Sequence, residues 1–112
     1  MNMPSTKAIE TTKSASFSKR IVFSLLKKLT AGHIRLIENG NEALFGDSHA
    51  DIKATITIHD QKAYSRILWG GSIGAGEAYV EGLWSSENLV DVIRLFSRNL
   101  AALEKHEQRF GF

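Results

Sequence analysis

Residues 52–58 read IKATITI, and this run decides the fold more than any other stretch of the chain. Isoleucine or alanine occupies every second position, and lysine or threonine occupies the positions between them. Because alternate side chains of a strand point to opposite faces of a sheet, one face should be buried and the other wet. The run therefore predicts a strand in a sheet that is covered on one face.

The segments on the N-terminal side of this strand predict a hairpin and a covering helix. Residues 33–38 and 41–46 flank Asn39-Gly40, a pair that suits a two-residue turn with positive φ at both positions, so a β-hairpin is expected. Ser16 is a candidate N-cap for a helix over residues 17–29. One face of that helix carries six apolar residues at helical spacing: Phe17, Ile21, Val22, Leu25, Leu26 and Leu29.

Three helices are predicted on the C-terminal side of the strand. Asp60 can cap a helix that ends at Gly70-Gly71, and a short helix over residues 75–80 is then broken by Gly82. Ser86 is a candidate cap for a long last helix. Its apolar stripe follows a coiled-coil-like spacing over too few heptads for a coiled coil: Leu89, Ile93, Phe96, Leu100, Leu103 and Phe110.

These elements predict an α+β fold, with a small antiparallel sheet of about three strands covered by helices and a long C-terminal helix. Residues 1–16 are rich in Ser, Thr and Lys without periodicity, and they are predicted to be a disordered leader. Residues 17–112 are then one domain, because 112 residues can bury only one modest core. Leu83 and Trp84 are expected to fill that core.

Composition and charge restrict the classes of function. The chain has no cysteine, which excludes disulfides and thiolate metal sites, and a cytoplasmic location is the default expectation. Residues 1–35 hold seven basic groups against one acid, whereas the rest holds seven against eleven. Such a basic end can contact anions, although it can equally be a solvated tail and helix face. Basic and aromatic residues do not interleave as on a nucleic-acid platform, so nucleic acid is not an expected partner.

The glycine cluster within residues 70–82 is the most unusual feature, yet it does not match a nucleotide site. A dinucleotide loop needs G-x-G-x-x-G between a strand and a helix, but Gly74-Ala75-Gly76 lacks the third glycine and follows a predicted helix. A tight connection between packed helices is the better interpretation. Glu77 and Glu81 could share a helix face, and solvated acids are favoured over acid–base chemistry. The four histidines lack metal-ligand spacing. No catalytic, cofactor-binding or metal-binding residue is therefore predicted.

The helix over residues 17–29 has two possible roles. Four basic residues could lie near the phosphates of an anionic membrane, which makes them candidate lipid contacts: Lys19, Arg20, Lys27 and Lys28. The apolar face could instead cover the sheet, because a three-stranded sheet needs such a cover.

Residues 74–84 read GAGEAYVEGLW and resemble the G-x-G-E-x-Y-x-x-G-x-W segment near the start of cyclopropane-fatty-acyl-phospholipid synthases, which are S-adenosylmethionine-dependent methyltransferases. The helix from Asn88 onward and residues 56–69 upstream also look similar to this family, so the resemblance covers roughly residues 17–105. The second aromatic that members carry before the final tryptophan is Leu83 here. The signature positions are Gly74, Gly76, Glu77, Tyr79, Gly82 and Trp84.

The resemblance implies a function for the parent enzyme, which would transfer a methylene group from S-adenosylmethionine to unsaturated phospholipid acyl chains. Cofactor and catalytic residues would belong to a Rossmann-like C-terminal domain that these residues do not include. This segment would then be a non-catalytic N-terminal domain, loosely similar to sterol-carrier-like domains, that engages lipid at the inner membrane face or scaffolds the catalytic domain. Its expected partners are that catalytic domain, a phospholipid surface and a second copy of the chain. The alternatives are a stand-alone lipid-binding or protein-interaction module and, least favoured, a small independent enzyme.

Overall fold

The computed structural model describes the backbone of residues 6–109 and the side chains of residues 16–99. Within these residues the fold is α+β, as predicted, with three helices and one four-stranded sheet. In chain order the elements are α1 (Thr6–Leu26), β1 (His33–Glu38), β2 (Asn41–Gly46), β3 (Lys53–Ile58), α2 (Lys62–Val80), β4 (Trp84–Ser85) and α3 (Leu89–Arg109).

The sheet is mixed, with the strand order β2-β1-β3-β4. The predicted hairpin is confirmed, since Asn39 and Gly40 both have positive φ, 51° and 78°, and β1 pairs antiparallel with β2. The expectation of a purely antiparallel sheet is wrong for one pair, because β3 lies parallel to β1. The strand β4 escaped prediction because two residues are too few to show a period.

One face of the sheet forms the core. The pairing places Ile34 opposite both Phe45 and Ala54, and Leu36 opposite Ile56, so inward side chains of three strands meet in rows. α1 and α2 cover this face, with Phe23 edge-on to the rings of Phe45 and Tyr64 at centroid distances of 5.1 and 6.1 Å. Among residues 16–99, fifteen buried apolar side chains form one cluster that extends to Trp84 and to two residues of α3. The predicted alternation of β3 is therefore confirmed.

α1 begins eleven residues earlier than predicted. It starts at Thr6, so the prediction of a disordered leader is wrong for residues 6–16, and residues 1–5 lie outside the described part of the chain. It ends at Leu26, after which the backbone amides of Lys28 and Leu29 close turns on the carbonyls of Leu25 and Leu26. A polar composition does not prevent a helix when lysine, alanine and glutamate are among its residues.

The start of α3 is tied to the edge of β3 by side chains. β4 pairs with β3 only at Thr57 and Ile58, which leaves the lower part of that edge without a strand partner. Asn88 fills the gap, because its Oδ1 accepts the Thr55 amide at 3.1 Å and its Nδ2 donates to the Lys53 carbonyl at 2.7 Å. The Ser86 hydroxyl donates to the Thr55 carbonyl and accepts from the Asn88 amide. The predicted cap Ser86 thus supports the residue before the helix, Asn88, and joins it to the sheet.

α3 buries a face that overlaps the predicted one only in part. Val92 and Leu95 are buried against the sheet, while Ile93, a member of the predicted stripe, is 57% exposed. Leu89 and Phe96 pack partly against the core, and the predicted stripe members Leu100, Leu103 and Phe110 lie outside the described side chains. The Asn99 amide holds the far end of this face, since it bonds to Thr30 and Ala31 in the loop before β1. The helix therefore keeps an apolar strip that its own core does not use.

Candidate functional site

The glycine cluster lies at a sharp bend within α2. At Gly71 the backbone takes φ 59° and ψ −140°, which is not helical, so α2 consists of two helical halves. The halves touch at Gly74, where a Cβ would lie 2.0 Å from the carbonyl oxygen of Arg66. The predicted helix end at Gly70-Gly71 and the predicted tight helix connection both agree with this geometry.

One arginine forms ion pairs between the two halves of α2. The Arg66 guanidinium in the first half lies 3.1 Å from the Glu81 carboxylate and 4.0 Å from that of Glu77. These groups are all substantially exposed, so each pair contributes little to stability. Glu77 and Glu81 thus both face one arginine, as structural acids do.

The second half of α2 ends in a Schellman motif. The Leu83 amide donates to the Ala78 carbonyl and the Gly82 amide to the Tyr79 carbonyl, with Gly82 at φ 80°. The turn delivers Trp84 to the core, where its ring is 6% exposed and its indole N–H donates to the Ala75 carbonyl at 2.9 Å. Three residues of the family-like signature thus have structural roles: Gly74 lies at the bend, Gly82 lies in the turn and Trp84 lies in the core.

The other signature residues lie on the surface. Tyr79 is 38% exposed and packs on Trp84 from outside, so it lies at the margin of the core. A Cβ at Gly76 would meet no atom within 4 Å. Gly76 lies between Ile73 and Val80, which are 75% and 84% exposed and share its face of the helix. Trp69, which precedes the bend, is likewise 75% exposed.

This glycine-rich bend does not fit S-adenosylmethionine or a nucleotide. Such ligands are held where a strand leads into a helix N-terminus through a glycine loop, whereas Gly74 and Gly76 lie inside a helical half. The space beside Gly74 is filled by the Arg66 carbonyl. No step of cofactor chemistry is therefore derived at this bend.

α1 presents a second apolar surface, this time beside basic groups. Val22 and Leu26 of the predicted face are buried, but Phe17 and Leu25 are 53% and 51% exposed. The outward face of α1, as we call it below, has members at spacings of three and four residues, with Ile21 half-buried and the rest exposed: Phe17, Arg20, Ile21, Ser24 and Leu25. Lys27 and Lys28, also exposed, follow in the turn after the helix.

Lys19 behaves differently from the other three predicted lipid contacts. Its Nζ lies 2.8 Å from Glu38 Oε1 and over the rings of Phe23 and Tyr64, at 5.4 and 5.8 Å from their centroids. Glu38 is 6% exposed and also accepts the Tyr64 hydroxyl at 2.9 Å. The charge of Lys19 is therefore directed inward, to a buried carboxylate.

The ionisation of Glu38 and Tyr64 follows from this cluster. Burial alone raises the pKa of Glu38, but hydrogen bonds from Lys19 and Tyr64, together with the Lys19 charge, outweigh it, so the pKa lies below its ordinary value of 4.5. The pKa of Tyr64 is raised, first by its burial and then by the Glu38 carboxylate. At neutral pH the cluster thus holds an ionised carboxylate and a neutral phenol.

We expect Tyr64→Phe to lower the free energy of unfolding at pH 7 by about 2 kcal/mol, since Glu38 loses a hydrogen bond to a charged acceptor. Urea denaturation followed by circular dichroism measures this. Tyr79→Phe is the matched control, because the exposed hydroxyl of Tyr79 should matter by less than about 0.5 kcal/mol.

The same variant should alter the pH dependence. The Glu38 pKa is lower in the folded state, so its stabilisation is complete above the unfolded value near 4.5 and is lost as pH falls below it. Tyr64→Phe moves that loss to higher pH, because one cause of the lowered pKa is removed. It also weakens the alkaline loss above the ordinary Tyr value of 10.0 that the raised Tyr64 pKa produces. An unchanged pH profile would contradict the assignment.

One serine–histidine contact was not predicted from the sequence. The His59 Nε2 lies 2.7 Å from the Ser85 hydroxyl where β3 and β4 end. A nucleophile of this kind needs a third group that orients the histidine and donors for an oxyanion. Among the hydrogen bonds of residues 16–99, none orients His59 in this way. The pair is therefore a surface hydrogen bond. The pairing of β3 with β4 and the backbone bonds from His59 and Asp60 to the Leu83 carbonyl bring it together.

Two further features are absent from the described residues. No three His, Asp or Glu side chains there lie close enough to hold a metal ion. None of the described helices combines the length and the apolar character that crossing a bilayer requires.

Comparison with known proteins yields no match to any protein family, to any curated protein or to any solved structure. The resemblance of residues 74–84 to cyclopropane synthases, and the looser one to sterol-carrier-like domains, thus stay predictions.

Proposed function

We propose that this chain is a non-catalytic domain that engages an anionic lipid surface through the outward face of α1. The observation that carries the proposal is the exposure of Phe17 and Leu25 on the same face as Arg20, with Lys27 and Lys28 at the end of the helix. Apolar side chains next to basic ones are the pattern by which an interfacial helix inserts between lipid headgroups. Lys19 is not among the lipid contacts in this proposal, because Glu38 holds its ammonium.

The parent protein in this proposal is a cyclopropane-synthase-like methyltransferase. The support is the residue pattern of Gly74–Trp84 together with its use here, because the bend, the Schellman turn and the buried indole give three signature positions a structural purpose. Methylene transfer from S-adenosylmethionine to phospholipid acyl chains would then take place in a catalytic domain outside this segment. The domain would lie in the cytoplasm, bound peripherally at the inner face of the membrane.

Co-sedimentation with vesicles tests the lipid part. We expect more protein to bind vesicles that contain phosphatidylglycerol than vesicles of phosphatidylcholine alone, because each basic group near an anionic surface contributes about 1 kcal/mol. Leu25→Ser should weaken binding several-fold. Leu44→Ser is the matched control, since Leu44 is a similarly exposed leucine on β2, at 58%. Equal binding to both vesicle types, or none to either, contradicts the proposal.

The second candidate is a protein-interaction module that uses α3. Its support is the exposure of Val90 and Ile93, at 69% and 57%, on a helix whose buried face is Val92 and Leu95. The partner would be the catalytic domain or a second copy of the chain. This candidate would be excluded if light scattering shows a monomer and the chain has no affinity for the separately expressed catalytic domain. The vesicle experiment does not test it.

A further inference from the structure

The two edges of the sheet differ in how they are protected. The edge beyond β3 is covered by β4 and by the side chains of Ser86 and Asn88. In the part of the chain that the structure describes, nothing pairs with the opposite edge, which β2 forms. β2 also lacks the usual protections of an edge strand, because residues 41–46 contain neither proline nor lysine and their register with β1 is unbroken by a bulge.

The backbone groups that β2 offers to a partner follow from the pairing. The His33 amide of β1 donates to the Ile52 carbonyl, on the β3 side. Because neighbouring residues of a strand turn their backbone groups to opposite sides, residues 34, 36 and 38 bond to β2. Their partners in β2 are residues 45, 43 and 41, which leaves the amides and carbonyls of Glu42 and Leu44 pointing away from the sheet. An added strand can therefore form hydrogen bonds at these two residues.

The outer face of this edge, which α1 and α2 do not cover, is apolar beside an ion pair. Leu44 is 58% exposed there. Next to it, Arg35 Nε donates to Glu42 Oε2, so the two charges offset each other. An added strand with apolar side chains on this face would cover Leu44.

The inner face of the edge lies beside positive charge on α1. Phe23 of α1 packs on β2, whereas the Ser18 hydroxyl accepts a hydrogen bond from α2. At about 100° per residue, Arg20 and Lys27 lie on the side of the helix opposite to Ser18, and both are exposed. Lys27 continues the last helical turn, because its amide donates to the Phe23 carbonyl. A strand added to β2 would thus run beneath two cations.

We propose that the β2 edge binds an extended acidic segment of a partner protein, which adds to the sheet as a further strand. Its acidic side chains would lie near Arg20 and Lys27, and its alternate, apolar side chains would lie beside Leu44. A second copy of β2 is disfavoured, because two-fold pairing would bring the basic side of α1 next to its own copy. One strand buries little area, so the complex is weak and transient.

Titration of the ¹⁵N-labelled protein with a blocked peptide in which glutamate and valine alternate tests the site. We expect saturable shifts of the backbone amides of residues 41–46. Hydrogen exchange should slow at Glu42 and Leu44, because these two amides gain acceptors in the complex. A peptide with lysine in place of glutamate should bind about tenfold more weakly, since like charges then face each other. Unchanged exchange at Glu42 and Leu44, or equal affinity for the two peptides, overturns the proposal.

N-methylated peptides show whether the binding is strand pairing. In an antiparallel pair, opposite residues share a face of the sheet, so the valine amides would donate to β2 and the glutamate amides would point away. Methylation of the valine amides should then abolish binding, and methylation of the glutamate amides should leave it nearly unchanged. A parallel partner reverses these two results. Equal affinity of the two methylated peptides overturns strand addition.

Variants of the protein separate the strand edge from the charges. Leu44→Pro removes an outward donor at a position where an edge strand tolerates proline, and it should abolish peptide binding. Leu44→Ser keeps the amide and should retain part of the affinity. Arg20→Gln should weaken binding by up to about fivefold, the upper range for an exposed ion pair. Arg94→Gln is its control, because Arg94 is exposed on α3 and should leave the affinity unchanged.

Each variant is compared only after its spectrum shows the native fold. Wild-type affinity in a folded Leu44→Pro protein overturns the proposal. So does self-association of the protein that Leu44→Pro removes, because it would assign the edge to a second copy. Leu44→Pro leaves α1 unchanged, so it should bind phosphatidylglycerol vesicles as the wild type does. Failure of the α1 lipid contact therefore leaves the peptide result unaffected.

Discussion

Replacing Trp84 with alanine should lower the free energy of unfolding by about 3–5 kcal/mol, the cost of a cavity left by a buried aromatic ring. The ring is 6% exposed, belongs to the single core cluster, and carries the N–H that bonds to the Ala75 carbonyl. Its loss therefore removes apolar packing and leaves a backbone acceptor without its partner. A loss of this size is comparable with the whole stability of a small domain.

Chemical denaturation at fixed pH measures the effect, with Trp69→Ala as the matched control. Trp69 is 75% exposed, so its removal should change stability by less than about 0.5 kcal/mol. A stable, folded Trp84→Ala protein would contradict the buried position of the ring. The two tryptophans also provide the fluorescence signal, because each variant keeps one of them.

The second large effect is expected at Gly74. Gly74→Ala places a Cβ 2.0 Å from the Arg66 carbonyl oxygen, and backbone rather than a flexible side chain must move. We expect a loss of about 3 kcal/mol, in the upper range for overpacking, because the two halves of α2 must separate. Thermal and urea unfolding measure it.

Gly76 is the natural control for this substitution. A Cβ at Gly76 meets nothing within 4 Å, so Gly76→Ala should be neutral or should stabilise the helix by up to about 1 kcal/mol. Equal effects at Gly74 and Gly76 would contradict the close approach of the two halves. The expected changes in the free energy of unfolding thus show that packing requires a glycine at Gly74 but not at Gly76.

Features with local causes could be predicted from the sequence. The period-two pattern of residues 52–58, the Asn39-Gly40 turn and the breaks at Gly71 and Gly82 depend on neighbouring residues, and each was predicted correctly. The parallel pairing of β3 with β1 could not be predicted, because it depends on how residues 47–52 carry the chain past β1. Likewise, apolar residues on α3 outnumber the positions that the sheet can cover. Periodicity alone therefore predicted that Ile93 is buried, whereas Val92 is the residue that packs against the sheet.

The cluster of Glu38, Tyr64 and Lys19 could be predicted from the sequence only in part. Glu38 continues the inward alternation of Ile34 and Leu36, so its burial was readable from the strand pattern. A buried acid requires partners, and the Tyr64 hydroxyl is one of them. The third member, Lys19, could not be identified, because choosing among the basic residues of α1 requires the helix rotation that only packing fixes.

The side-chain seal on the β3 edge has a consequence for the order in which the chain can fold. The bonds from Asn88 to Thr55 and Lys53 join residues 33 and 35 positions apart, so synthesis must pass Asn88 before this seal can close. Until then a ribosome-bound chain holds a strand edge with free amides and carbonyls, the template on which sheets of separate chains join. The residues that lead into α3 would thus protect nascent chains against misassembly at this edge.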